Sequence, residues 1–209
     1  MDNLIWKVVG KFCIFAAIMT NTTTTTTTTT TPKIFVTDYA SYNNGRQFEF
    51  GHWLELDQFA DAAGFWEYIN DHFRECDEKS PLDSPREELM ITDFEGFPNE
   101  LYSESMSSQD FNNLFDYLDL DEDNKIKVCF ILEDGQNFDY AIQKYENVYL
   151  TEDLKNARYE LFEMHYPEIE EISNTCDYLE INYDRFISEN FTQFKFEGVY
   201  YLVNDSWNN

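Results

Sequence analysis

Positive charge is scarce in this sequence. Fourteen Lys and Arg stand against 41 Asp and Glu, leaving a formal net charge of −27 over 209 residues. Such a surface repels phosphates at every approach, which excludes direct binding to DNA, RNA or an anionic membrane. Glycine and proline are also few, at 7 and 5, so the chain is neither collagen-like nor a Pro/Gly-rich linker. The only histidines are His52, His72 and His165, and no two of them stand at metal-ligand spacing. The four cysteines, Cys13, Cys76, Cys129 and Cys176, form no C-x-x-C pair. Isolated cysteines in apolar or mixed helical surroundings read as reduced core thiols, which fits a cytoplasmic compartment. No G-x-S-x-G, phosphate-cradling glycine loop or Cys/His dyad occurs, and no cofactor is expected. Some pair at glycosidase-like distance is inevitable among 41 carboxylates, so proximity alone identifies no catalytic site.

Hydrophobic residues, in contrast, make up 43% of the chain and aromatics 18%, including 19 Phe and 14 Tyr. An acidic chain poor in apolar groups stays disordered. This one has enough apolar material to fold around aromatic cores beneath an acidic surface.

Residues 1–32 are unlike the remainder. Met1 to Ile18 is apolar but interrupted by Lys7 and Lys11. Its longest uncharged run, Phe12 to Met19, falls well short of the roughly 20 residues of a membrane span. Two readings stay open: a weak signal peptide without a clear cleavage site, or an upstream segment preceding a true start at Met19. Ten threonines, Thr22 to Thr31, then lead to Pro32, and the whole extension is expected to be disordered. Without Asp2, Lys7 and Lys11, the remaining 40 acids face 12 bases, so residues 33–209 carry −28. The acids are dispersed along the chain, as on the faces of folded elements.

Alternating apolar and polar residues predict a strand over Ile34 to Tyr39. A turn at Asn43-Asn44-Gly45 and a returning strand, His52 to Leu56, follow. Phe59 to Phe73 has helical spacing, Ser80 to Pro85 reads as a loop, and Glu88 to Asp93 as a third strand. Ser108 can cap a helix with Phe111, Leu114, Phe115 and Leu118 on one face; helices over Asp123 to Leu132 and Phe138 to Tyr145 come next. A strand at Val148 to Leu150, helices at Glu152 to Met164 and Tyr183 to Asn190, and one closing strand, Phe194 to Asn204, complete the reading. The expected fold class is therefore α+β, with an N-terminal α+β domain at 33–100, a mainly helical middle domain at 101–145 and a C-terminal α+β domain at 146–209. Tyr39, Trp53, Trp66, Phe115 and Tyr200 fall on apolar faces and are expected in the cores.

The run Asp119-Leu120-Asp121-Glu122-Asp123-Asn124 opens like a calcium-binding EF-hand loop. Its sixth and twelfth places hold Asn124 and Phe130 instead of the required Gly and bidentate Glu. An acidic turn between helices is the better reading, and no metal is expected.

Three blocks resemble a known family. Ile34 to Arg46, followed by Gly51-His52-Trp53-Leu54-Glu55-Leu56, is similar to the opening of ArdA-type antirestriction proteins. Glu88-Leu89-Met90-Ile91-Thr92-Asp93-Phe94-Glu95-Gly96-Phe97 resembles the family's second signature. Tyr183-Asp184-Arg185-Phe186, with Gly198-Val199-Tyr200, resembles its closing helix and strand. The likeness spans about Lys33 to Asn204 in the family's order and spacing. Phe48-Glu49-Phe50 lengthens the first hairpin, Thr92 and Phe94 stand where His and Tyr are usual, and the Thr-rich extension has no counterpart.

The resemblance implies an elongated three-domain homodimer in the cytoplasm of a bacterial host. It would imitate bent B-form DNA, occupy the DNA-binding groove of type I restriction–modification enzymes and protect incoming mobile DNA. The physics agrees: duplex DNA carries one charge per roughly 1.7 Å, so −28 matches roughly 48 Å of duplex. Helical carboxylates at i,i+4 lie roughly 6 Å apart, near the spacing of successive phosphates. The expected partner-binding acids are Asp116, Asp119, Asp121, Glu122, Asp123, Glu133, Asp134, Asp139, Glu152, Asp153, Glu160, Glu163, Glu168, Glu170, Glu171, Asp177 and Glu180. Two other readings remain open: a mimic aimed at another basic DNA-binding protein, and a carboxylate-based hydrolase with one raised Glu in a cleft.

Overall fold

The computed structural model describes residues 30–169, 180–196 and 198–204. The chain is α+β and forms two compact units, Met1–Leu120 and Asp121–Asn209, each with its own three-stranded antiparallel sheet. The expected middle domain is divided between them: its first helix packs in the first unit, and its other two lie in the second.

In the first unit, β1 (Lys33–Asp38) lies between β2 (His52–Glu55) and β3 (Leu89–Glu95), with Phe35 opposite Trp53 on one side and Asp93 on the other. A short helix, α1 (Tyr39–Asn43), follows β1 directly and was not foreseen. The Asp38 carboxylate starts it by accepting the Ser41 N–H at 2.6 Å, the usual role of Asp at a helix N-cap. Helix α2 (Ala62–Lys79) runs six residues beyond its predicted end, because Cys76 continues the buried stripe of Phe65, Ile69 and Phe73. Asp61 caps its start by accepting the Gly64 N–H at 2.8 Å. Helix α3 (Ser108–Leu118) begins with a capping box in which Ser107 and Asp110 satisfy each other's backbone N–H groups. Its Phe111 ring stacks on Phe65 at 4.2 Å. The core joins Ile34, Val36, Leu54, Phe65, Ile91, Phe111 and Leu114.

In the second unit, α4 (Glu122–Glu133) and α5 (Phe138–Lys144) bury Val128, Ile131, Leu132 and Ala141. Strand β4 (Val148–Thr151) pairs with the last strand. Helices α6 (Leu154–His165) and α7 (Tyr183–Asn190) close a second core of Ala157, Leu161, Phe162, Phe186, Phe191 and Leu202. What reads in sequence as one closing strand is a hairpin, β5 (Phe191–Phe196) and β6 (Val199–Asn204). The chain reverses at Gly198, whose φ of 94° suits glycine and opposes any side chain.

Phe115 is buried, as expected. Trp53 is a correction: it is 38% exposed, because β2 turns it to the sheet's outer face while Leu54 points inward. There it packs edge-on against Phe35 at 5.8 Å, beneath the Lys33 ammonium at 4.7 Å. Tyr39, Trp66 and Tyr200 are half-buried. Tyr39 donates its hydroxyl to Glu104, and the Lys195 ammonium lies over the Tyr200 ring.

Candidate functional site: an acidic surface

The basic residues that neutralise acids act mostly inside the fold or along single helices. Arg86 is the clearest case. Its side chain is fully buried, with Nη1 donating to Asp77 Oδ1 at 2.5 Å, Nε to Ser41 Oγ at 3.0 Å, and Asp38 Oδ2 at 3.5 Å. Elsewhere Arg74 pairs with Asp71, Lys79 with Glu75, Lys125 with Glu122 and Arg185 with Glu189, each pair within a single helix. Lys79 and the carboxylate it meets reinforce each other's charge: the Glu75 carboxyl is lowered and the Lys79 ammonium raised, chiefly through their hydrogen bond. Such exposed pairs contribute little to stability.

Most of the predicted acids reach solvent. Asp116, Asp119, Asp121, Glu122, Asp123, Asp134, Asp139, Glu152, Asp153, Glu160, Glu163, Glu168 and Glu180 are exposed, and Glu133 is half-buried. Glu170, Glu171 and Asp177 lie outside the described residues. Several of these acids have a second, local duty. Asp121 caps α4 by accepting the Asn124 N–H at 2.9 Å, and Asp153 caps α6 through the Lys155 and Asn156 N–H groups. Glu122, Asp123 and Asp139 sit in first helical turns, where the helix dipole favours negative charge. The stretch that opens like an EF-hand is the end of α3 and the start of α4, an acidic turn between helices. Among the described residues, no three His, Cys, Asp or Glu side chains converge as a metal site. Nor is any described helix long and apolar enough to cross a membrane.

One acidic face escaped the sequence reading. Glu67, Asp71 and Glu75 follow each other at i,i+4 along α2 and are exposed, and they line a shallow cavity of about 430 Å³ with Gly64, Tyr68 and His72. Neighbours at that spacing lie about 6 Å apart along the axis. The signal was present in the sequence. The apolar spacing predicts a helix only to Phe73, so Glu75 joins the row only in the longer helix that the structure forms.

Two thiols, Cys76 and Cys129, are buried and unbridged. Burial pushes the Cys76 thiol up, the behaviour of a core residue, not of a nucleophile. Cys13 and Cys176 lie outside the described residues. His165 ends α6, where its Nδ1 donates to the Leu161 carbonyl at 2.7 Å.

A family model described as antirestriction protein (ArdA) matches residues 34–200, most of the chain and both units. The chain belongs to the ArdA family. No curated protein matches it. Membership makes this an antirestriction protein and directs attention to restriction–modification enzymes as its counterpart. All three blocks quoted above, the last ending at Tyr200, fall within the span matched to ArdA.

Proposed function

We propose that this ArdA protein is an acidic DNA mimic. It occupies the DNA-binding groove of a type I restriction–modification enzyme and blocks restriction, without catalysing any reaction. It acts as a homodimer in the cytoplasm of the bacterial host. The observation that carries the proposal is the exposure of acids on α2, α3, α4, α5 and α6, with nearby bases paired along single helices or buried. The groove of a DNA-binding enzyme is lined by Lys and Arg that contact phosphates without reading sequence, so suitably spaced carboxylates can satisfy the same groups. A dimer at about −56 would match the charge on roughly 95 Å of duplex, about 28 base pairs. A pre-shaped mimic also avoids the cost of bending DNA.

The test is competition. Labelled duplex bound to a purified type I methyltransferase complex is titrated with the protein. Displacement reaching completion at a fixed stoichiometry supports groove occupancy. A ternary complex in which the duplex stays bound rejects it. Displacement of DNA equally well from unrelated basic DNA-binding proteins would move the assignment to a general mimic.

A further inference from the structure

Carboxylates are not the only groups that the first unit shows to solvent. Alternation along β1 sends Ile34 and Val36 into the core and turns Lys33 and Phe35 to the outer face of the sheet. Strand pairing then sets Trp53 of β2 and Asp93 of β3 on either side of Phe35, and Glu55 and Glu95 on either side of Lys33. The stretch before β2 adds a third ring. Thr37 donates its hydroxyl to the Gln47 carbonyl at 2.9 Å, and Gly51 passes where any side chain would press on the Phe35 ring. Phe48, one of the three residues that lengthen this hairpin, is held with its ring centroid 6.4 Å from that of Phe35, and it is 76% exposed. Two exposed rings, Trp53 and Phe48, thus stand on a half-buried third. Aromatic rings grouped in the open mark a surface that meets a partner.

The charges around the rings define that partner's chemistry. Glu55, Asp93 and Glu95 are exposed, and Lys33 is the one base on these three strands. Lys33 also shows how the face receives a cation: its ammonium lies 4.7 Å from the centre of the Trp53 ring and 3.0 Å from Glu95 at once. A guanidinium suits such a combination better than an ammonium. It is flat and weakly hydrated, so it stacks on a ring while its N–H fork donates to a carboxylate. We propose that this face receives an arginine side chain of the protein partner, its guanidinium stacked on Trp53, flanked by Phe48 and donating to Glu55. The inference rests on the reading of the protein as a DNA mimic and adds a contact that phosphates do not offer. A ring carries no net charge and holds no counterions, so its share of binding persists at salt concentrations that screen the carboxylates.

The experiment compares Trp53→Ala and Trp53→Phe with the wild-type full chain. Each displaces labelled duplex from a type I methyltransferase complex at several salt concentrations, with the fold checked by circular dichroism. Trp53→Ala is expected to weaken displacement about tenfold. The factor should be the same at every salt concentration, because no charge is lost, and Trp53→Phe should recover most of it. A second arm measures calorimetric binding of two short peptides, one of arginine and one of lysine. Wild type should prefer the arginine peptide several-fold, and Trp53→Ala should abolish the preference. If wild type displaces DNA and Trp53→Ala does so equally well, the arginine contact is overturned while groove occupancy stands. If wild type displaces no DNA but keeps a Trp53-dependent preference for arginine, the contact stands and groove occupancy falls. Equal affinity for the two peptides, or a preference that survives in Trp53→Ala, overturns the contact.

Discussion

Arg86 holds Asp77 twice: its backbone N–H donates to Oδ2 at 3.2 Å and its Nη1 to Oδ1 at 2.5 Å. The same guanidinium lies beside the buried Asp38 that caps α1. One cation thus ties the end of β1, the last turns of α2 and the loop before β3. In a chain this acidic, a base placed inside the fold offsets carboxylates that would otherwise be buried unpaired.

Replacing that cation tests its role. Arg86→Met keeps the volume but strands Asp38, and breaking a buried pair from one side costs about 3–5 kcal/mol. Urea unfolding is expected to show a loss of that size, with the slope unchanged. A loss below about 1 kcal/mol would mean that the acids find other partners.

Much of this unit was legible because its signals are local. Alternation gave β1 and β2, and helical spacing gave α2 and α3. The misreadings have specific causes. Asp38 does end β1, but its carboxylate also starts a helix, so Tyr39 opens α1 instead of closing the strand, which alternation alone does not show. Gly198 sat inside an apolar run, and only its positive φ shows that the chain reverses there. Trp53 is expected in the core as part of an apolar face, whereas strand alternation with the buried Leu54 sends it outward. The acids were visible as composition, but which of them form a row depends on where a helix ends, and that is decided by tertiary packing of Cys76.

The α2 row yields a second prediction. Glu67→Gln, Asp71→Asn and Glu75→Gln together remove charge without removing a buried contact. Inhibition of a type I enzyme is expected to weaken several-fold, with thermal stability unchanged or higher as self-repulsion falls. Unaltered inhibition would exclude this face from the interface.

Asp121 offers a finer separation of roles. Asparagine caps a helix as well as aspartate, while alanine does not. Asp121→Asn is therefore expected to leave stability intact, and Asp121→Ala to cost about 1 kcal/mol. Neutralising Asp121, Glu122 and Asp123 together with amides should weaken partner binding by about 1–2 kcal/mol, as a screened, distributed interaction requires. Complete loss of inhibition from any one of these changes would point to a localised site.

The N-terminal extension is expected to be dispensable up to a defined point. Leu56 N–H donates to the Pro32 carbonyl at 2.8 Å, so a chain beginning at Thr30 retains the contact that continues the β1–β2 ladder. It should fold and inhibit as the full chain does, measured by circular dichroism and DNA-cleavage assays. Loss of inhibition with the fold intact would assign residues 1–29 a function of their own.

Salt dependence of binding tests the mimicry most directly. Affinity for a type I methyltransferase complex, measured by calorimetry from about 50 mM to 500 mM salt, is expected to fall steeply and continuously. Charge neutralisation between a −28 surface and a basic groove is screened over a Debye length of roughly 10 Å at 0.1 M. An affinity that stays level across that range would contradict the account.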